Sequence, residues 1–191
     1  TVRYDMGALV PGEWESMTGT CFSGGCNPAG GKTRATGSLI AAAWDNGVWA
    51  FDIGTTPIGF HYTDITGALS YSFNWGDTSL TAEAYRRAKD ASLLAYGGQR
   101  DPATGKWWGG VRRTGVSLSA SRDDGTGIGL WGKISAETIR GRNVADNTSW
   151  QAMGTAYTRL ISKPNHEFTP SLFVMLWGFD KDLSGYTFGQ G

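Results

Sequence analysis

The sequence predicts an all-β chain: part of an antiparallel, up-and-down β-barrel of the outer-membrane type. Three observations carry this. Short turn signals recur between strand-like runs. Longer polar segments separate the resulting hairpins. Within the runs, large apolar residues alternate with small polar ones, the period of two that sorts side chains onto opposite faces of a sheet.

Taken in order, a first strand is plausible over Thr1 to Val10, where Val2, Tyr4, Met6, Ala8 and Val10 alternate with Arg3 and Asp5. Eight firmer strands follow as four hairpins. Asp45-Asn46-Gly47 separates Ser38 to Trp44 from Val48 to Gly54. Gly76-Asp77 separates Ile65 to Trp75 from Thr78 to Arg87. Asp123-Asp124-Gly125 separates Gly115 to Ser121 from Gly127 to Ser135. Lys163-Pro164-Asn165 separates Trp150 to Ile161 from Glu167 to Phe179. Asn-Gly and Asp-Gly supply the positive φ angles that tight hairpin turns demand. Good helix formers over Ala82 to Ala95 compete with the strand that starts at Thr78; we place strand to about Arg87 and a helical turn after it.

Between the hairpins lie polar segments at about Pro11 to Gly37, Thr55 to Asp64, Ala88 to Thr114 and Ala136 to Asn147. Outer-membrane barrels have short periplasmic turns and long extracellular loops. Alternation agrees. In the strand from Ile65 to Trp75, Ile65, Leu69, Tyr71, Phe73 and Trp75 oppose Thr66, Ala68, Ser70, Ser72 and Asn74. Later, Ile128, Leu130 and Ile134 oppose Gly129, Trp131, Lys133 and Ser135. The polar face is small and neutral, which suits a lumen. Trp44, Trp49, Phe51, Trp75, Tyr85, Trp150 and Trp177 fall near strand ends, where membrane barrels carry aromatic girdles. An odd strand count and an end at GYTFGQG without a terminal strand predict a piece of a larger barrel.

Composition narrows function. Of 191 residues only 18% are charged, and the net charge is zero. That argues against nucleic acid as a partner. Twenty-nine Gly with nine Trp, seven Tyr and eight Phe suit a β-rich protein whose outer face is not in water, and equally a soluble lectin-like β-sandwich. No run reaches the roughly 18 apolar residues of a transmembrane helix. Cys21 and Cys26 lie in a Gly-rich loop. A small disulfide in an oxidising compartment is the favoured reading, against reduced thiols or a zinc site for which two histidines are too few. Gly31-Lys32-Thr33 resembles the end of a phosphate-binding loop, but Cys26 stands where that pattern needs Gly. His61 and His166 have no metal-ligand spacing, and no nucleophile elbow is present. No catalytic residue, metal or cofactor is therefore expected. Six aromatics in or beside the Gly-rich loops are candidates for stacking on sugar rings: Tyr96, Trp107, Trp108, Trp177, Phe179 and Tyr186. Loop anchoring and membrane-interface packing are the rival readings for each of them.

Four strings, Asp52 to Phe60 (DIGTTPIGF), Leu93 to Val111 (LLAYGGQRDPATGKWWGGV), Gly141 to Asn147 (GRNVADN) and Asp180 to Gly191 (DKDLSGYTFGQG), resemble the C-terminal domain of the cellulose synthase operon protein C family. The resemblance runs from about Leu39 to the end; the first 35 residues match weakly. It implies that residues 1–191 are an incomplete C-terminal β-barrel domain, about half of a barrel of about 16 strands. Family members carry a periplasmic tetratricopeptide-repeat region, which this sequence lacks. The implied function is an outer-membrane pore, not an enzyme, that exports cellulose or a related glucan. The implied partners are the glucan, outer-membrane lipid, and the cellulose synthase complex reached through the repeat region. A soluble carbohydrate-binding β-sandwich is the alternative. A third class, a small lipid-modifying barrel enzyme, would need a catalytic cluster at one rim.

Overall fold

The computed structural model describes residues 2–3, 36–90, 93–100, 106–123, 127–163 and 165–182. In chain order these form β1 (Val2–Arg3), β2 (Ala41–Asp45), β3 (Trp49–Thr55), β4 (Ile65–Trp75), β5 (Thr78–Ala88), α1 (Leu93–Gly97), β6 (Gln99–Arg100), β7 (Trp107–Asp123), β8 (Ile128–Arg142), β9 (Val144–Thr158), β10 (Ile161–Lys163), β11 (His166–Phe168) and β12 (Ser171–Phe179). The main sheet runs β1-β2-β3-β4-β5-β7-β8-β9-β12, with β6 pairing beside it on β7. Each neighbour on that path is antiparallel. This is an up-and-down meander, a partial barrel wall that is not closed.

The tight turns form where Asn and Gly permit them. Asn46 Oδ1 accepts from the amides of Val48 (3.0 Å) and Trp49 (2.8 Å), and Gly47 adopts φ 85°. At Gly76-Asp77 the pairing continues to Trp75 and Thr78, and Gly76 sits at φ 60°. As expected, β5 persists to Ala88 and a short helical turn follows at Leu93–Gly97.

Four expectations need correction. Ala136 to Asn147 is not a loop: β8 and β9 run through it, joined at Asn143 with φ 52°. Its polar residues alternate as a strand, and Asn tolerates the left-handed turn. The segment ending at Thr114 is also shorter than expected, because β7 starts at Trp107. The Lys163-to-Asn165 turn closes a separate two-stranded hairpin, β10 with β11, so the main pairing of β9 stops near Thr158 and resumes against β12. Finally, Tyr85 and Trp177 do not join the outer aromatics. The register sets Tyr85 opposite Ala68 and Gly115, and Trp177 opposite Gln151, on the inner face. The expected first strand is described only at Val2–Arg3, which pairs with β2. The remainder of Thr1 to Val10 lies outside the described residues.

The molecule is organised inside out. Among the described residues the buried hydrophobic set is only Phe60, Trp108, Val111 and Ile139. Large apolar side chains instead cover the outer face: Ile65 is 62% exposed, Val116 59%, Ile134 58% and Leu176 58%. Soluble proteins do not sustain an apolar surface this continuous. Among the described residues the only sheet besides the main one is the two-stranded β10–β11 hairpin, so the β-sandwich alternative fails on architecture. On β8 the outward apolar run from Ile128 to Ala136 matches the roughly 9–11 residues a tilted strand needs to cross a bilayer. Above it the outward row turns polar, with Arg86, Thr114, Thr138 and Thr148 in register.

Candidate functional site

The face opposite the apolar band is concave and holds an open cavity of about 560 Å³. Alternation dictates its lining. Ser70, Glu83, Ser117, Ser135, Gln151 and Trp177 form one cross-strand row; Ser72, Thr81, Ser119, Lys133 and Met153 form the next. The row nearer the loops carries Asp52, Tyr85, Glu137, Ser149 and Phe179.

Three ion pairs lie on this wall. Arg87 donates through both terminal nitrogens to Asp52, Nη2 to Oδ2 at 2.6 Å. Lys133 lies 3.6 Å from Glu83, which also accepts from Ser117 Oγ at 3.2 Å. Glu137 accepts from Tyr85 Oη at 2.9 Å and from Ser149 Oγ at 3.2 Å, with Arg113 at 3.9 Å. The wall therefore offers hydroxyls and paired charge from β3 across to β8. Trp131 at the turn end of β8 and, towards β9 and β12, Met153, Trp177 and Phe179 add flat or soft apolar groups. A carbohydrate ring has the same two characters, hydroxyls on its rim and C–H groups on its faces.

The six aromatic candidates separate. Trp177 and Phe179 stand in this wall and line the same cavity as Trp131. Tyr96, Trp107 and Trp108 belong instead to a cap at the loop end, built from residues 55–64, α1, β6 and the start of β7. There Tyr96 meets Phe60 edge-on at 5.5 Å, Trp107 stacks on His61 at 3.7 Å, and Trp108 is buried. Tyr62 Oη (3.2 Å) and Asn143 Nδ2 (2.8 Å) both donate to the Trp107 carbonyl, and the Arg142 guanidinium lies 4.6 Å over the Tyr62 ring. Tyr186, Cys21 and Cys26 lie outside the described residues. Trp131, Tyr85 and the paired acids were missed as wall residues, although the period-two reading had already put Trp131 and Lys133 opposite the apolar set.

Two predictions arise in the cap. Gly110 has φ 58°, and a β-carbon there would lie 2.9 Å from Tyr62 Cβ. Gly110→Ala should cost about 1–3 kcal/mol and loosen the cap before the barrel; limited proteolysis of the parent protein with cleavage mapped to residues 55–64 or 93–110 reads this. The Tyr96 phenol is held above its ordinary pKa by burial and then by the Asp90 carboxylate. A raised folded value means that the stabilisation is complete below the unfolded value of 10.0 and is lost as pH rises through the folded one. Cap proteolysis should therefore accelerate only at strongly alkaline pH, less steeply in Tyr96→Phe; equal slopes would contradict the assignment.

Comparison with known proteins agrees with this architecture. A family model described as cellulose synthase operon protein C C-terminus matches residues 2–191. The chain belongs to the cellulose synthase operon protein C family. The match also takes in the first 35 residues, where the sequence strings were weak. The cellulose synthase operon protein C of Escherichia coli is 44% identical over 183 residues, 94% of this chain and 16% of the relative. The protein of the same name from Salmonella typhimurium is 42% identical over 196 residues, 100% and 16% respectively. That of Xanthomonas axonopodis pv. citri is 37% identical over 157 residues, 82% and 10%. The chain thus spans about a sixth or less of the length of these relatives.

Proposed function

We propose that this chain forms part of the wall of an outer-membrane pore that exports cellulose or a related glucan, without catalysing a reaction itself. One observation carries the reading: a single curled sheet with a continuous apolar outer face and a concave inner face of hydroxyls, paired charges and aromatic rings. The family and the names of the relatives point the polymer towards cellulose. The outer face excludes lipid from the lumen. The inner Ser and Thr exchange hydrogen bonds with polymer hydroxyls, while Trp131, Trp177 and Phe179 offer surfaces on which rings stack and slide. Paired charges suit a neutral polymer, because an ion pair makes a shallower electrostatic trap than a lone charge. Many weak contacts let a chain move; one strong site would stall it. No cofactor takes part, and the driving force comes from polymer synthesis on the inner side, through the synthase complex and the periplasmic repeat region. The cap lines the outer mouth and steers the emerging chain, with Tyr96, Trp107 and Trp108 mainly holding the cap together.

The test is conductance of the full-length parent protein in planar bilayers, with and without soluble cello-oligosaccharides. Steady conductance blocked by the sugars is expected. Trp177→Ala with Phe179→Ala should weaken the block about tenfold, the equivalent of roughly 1.4 kcal/mol for two lost stacking surfaces. An open pore indifferent to sugars would reject the glucan; a protein soluble without detergent would reject the pore.

A further inference from the structure

The outer wall is not uniformly convex. Just below its polar margin lies a shallow groove of about 580 Å³. It exists because two small residues interrupt rows of branched ones. Gly67 stands between Ile53 and Arg86, and Ala84 between Leu69 and Val116. The groove has walls of Ile53, Ile65, Leu69 and Val116, and Arg86 and Thr114 at its loop-end rim.

The rim is cationic in a specific way. Arg86 Nη2 lies 3.4 Å from Asp64 Oδ1, and Arg112 Nη1 lies 3.3 Å from Asp64 Oδ2. Two guanidiniums share one carboxylate, which leaves one positive charge over. Both are partly open, with side chains 42% and 29% exposed. Arg140, opposite Arg112 in the register, pairs separately with Asp146 at 3.4 Å. A guanidinium has five donors in a fork that matches phosphate oxygens, and these two spend few of theirs on Asp64.

We propose that this margin is a binding site for a phosphorylated membrane lipid. Its phosphate sits between Arg86 and Arg112, and an acyl chain lies in the groove over Gly67 and Ala84. The inference rests on the outer-membrane reading, which puts the loop end in the outer leaflet. At that depth acyl chains surround the wall, and the anion within reach of Arg86 is a lipid headgroup. Surplus positive charge directly above an apolar channel complements an amphiphile whose charged and apolar parts are joined in that order.

The experiment uses the full-length parent protein in detergent, incubated with bisphosphorylated lipid A or its dephosphorylated form, with bound lipid read by native mass spectrometry. Wild type should retain the phosphorylated form at least tenfold better. Arg86→Ala with Arg112→Ala should abolish that preference, while the double Lys variant keeps part of it, since each cation near an anionic headgroup contributes about fivefold. Ala84→Phe, which fills the groove from an exposed position, should lower retention of both forms; if the double Ala variant fails to insert, Ala84→Phe decides alone. Equal retention of the two lipids by wild type, or undiminished retention by the variants, overturns the site. Lipid retention without conductance would support the site and count against the pore alone. Fractionation with soluble proteins would overturn the membrane reading and the site with it.

Discussion

Ile134→Arg should destabilise the barrel in lipid by about 2–4 kcal/mol, whereas Ser135→Arg, one residue along the same strand, should cost less than about 1 kcal/mol. The two positions share a backbone environment and differ in the face they occupy. Ile134 is 58% exposed on the apolar side, between Leu118 and Ala152 in the register. It is the fourth of the five outward positions from Ile128 to Ala136, so the guanidinium of Ile134→Arg must stretch past Ala136 to reach the polar Thr138 row, which sets the penalty towards the lower end of that range. Ser135 lines the cavity beside Ser117 and Gln151. An arginine there meets water and the Glu83 and Glu137 carboxylates. Urea unfolding of the full-length protein in phospholipid vesicles measures both. In a soluble protein the order would reverse, because a charge at an exposed position is close to neutral. Equal penalties would remove the assignment of faces.

The second large effect is at Glu137. Glu137→Ala should lower stability by about 2–3 kcal/mol, and Glu137→Gln by about half as much. The Glu137 side chain is 14% exposed and links β5, β8 and β9 through Tyr85 and Ser149. Truncation leaves the Tyr85 hydroxyl inside the wall without its 2.9 Å acceptor. The amide of Glu137→Gln still accepts from one hydroxyl and donates to the other. Arg113 adds little: at 3.9 Å and 47% exposed it is a screened, water-facing pair, worth under about 1 kcal/mol. The same vesicle unfolding series reads it. If Arg113→Ala proved as costly as Glu137→Ala, the ion pair rather than the hydrogen bonds would be the main tie.

Much of the sheet was legible because its causes are local. Asn46-Gly47 and Gly76-Asp77 determine their turns through backbone conformations that few other residues accept. The alternation from Ile65 to Trp75 determines which side chains share a face, because successive Cβ atoms must point oppositely. The failures arose where polarity stood in for backbone conformation. Ala136 to Asn147 reads as a loop by composition, yet it is strand that extends past the outward apolar run and carries a polar outer row. Trp177 and Tyr85 were grouped with girdle aromatics by nearness to strand ends; their register, a property of pairing, turns them inward.

By itself, then, the sequence determined the all-β class, the hairpin order, the two-faced character of the strands and the family. Tertiary structure alone decided which aromatics meet. Tyr96, Trp107 and Trp108 look alike in the sequence to Trp177 and Phe179, but the cap sets Tyr96 against Phe60 and Trp107 against His61 and buries Trp108, while the other two line the inner cavity with Trp131. The same holds for Glu137 with Tyr85, and for Arg86 with Arg112 across Asp64. These partners are far apart along the chain. Their meeting depends on strand register and sheet curvature, which accumulate over many residues and leave no local mark.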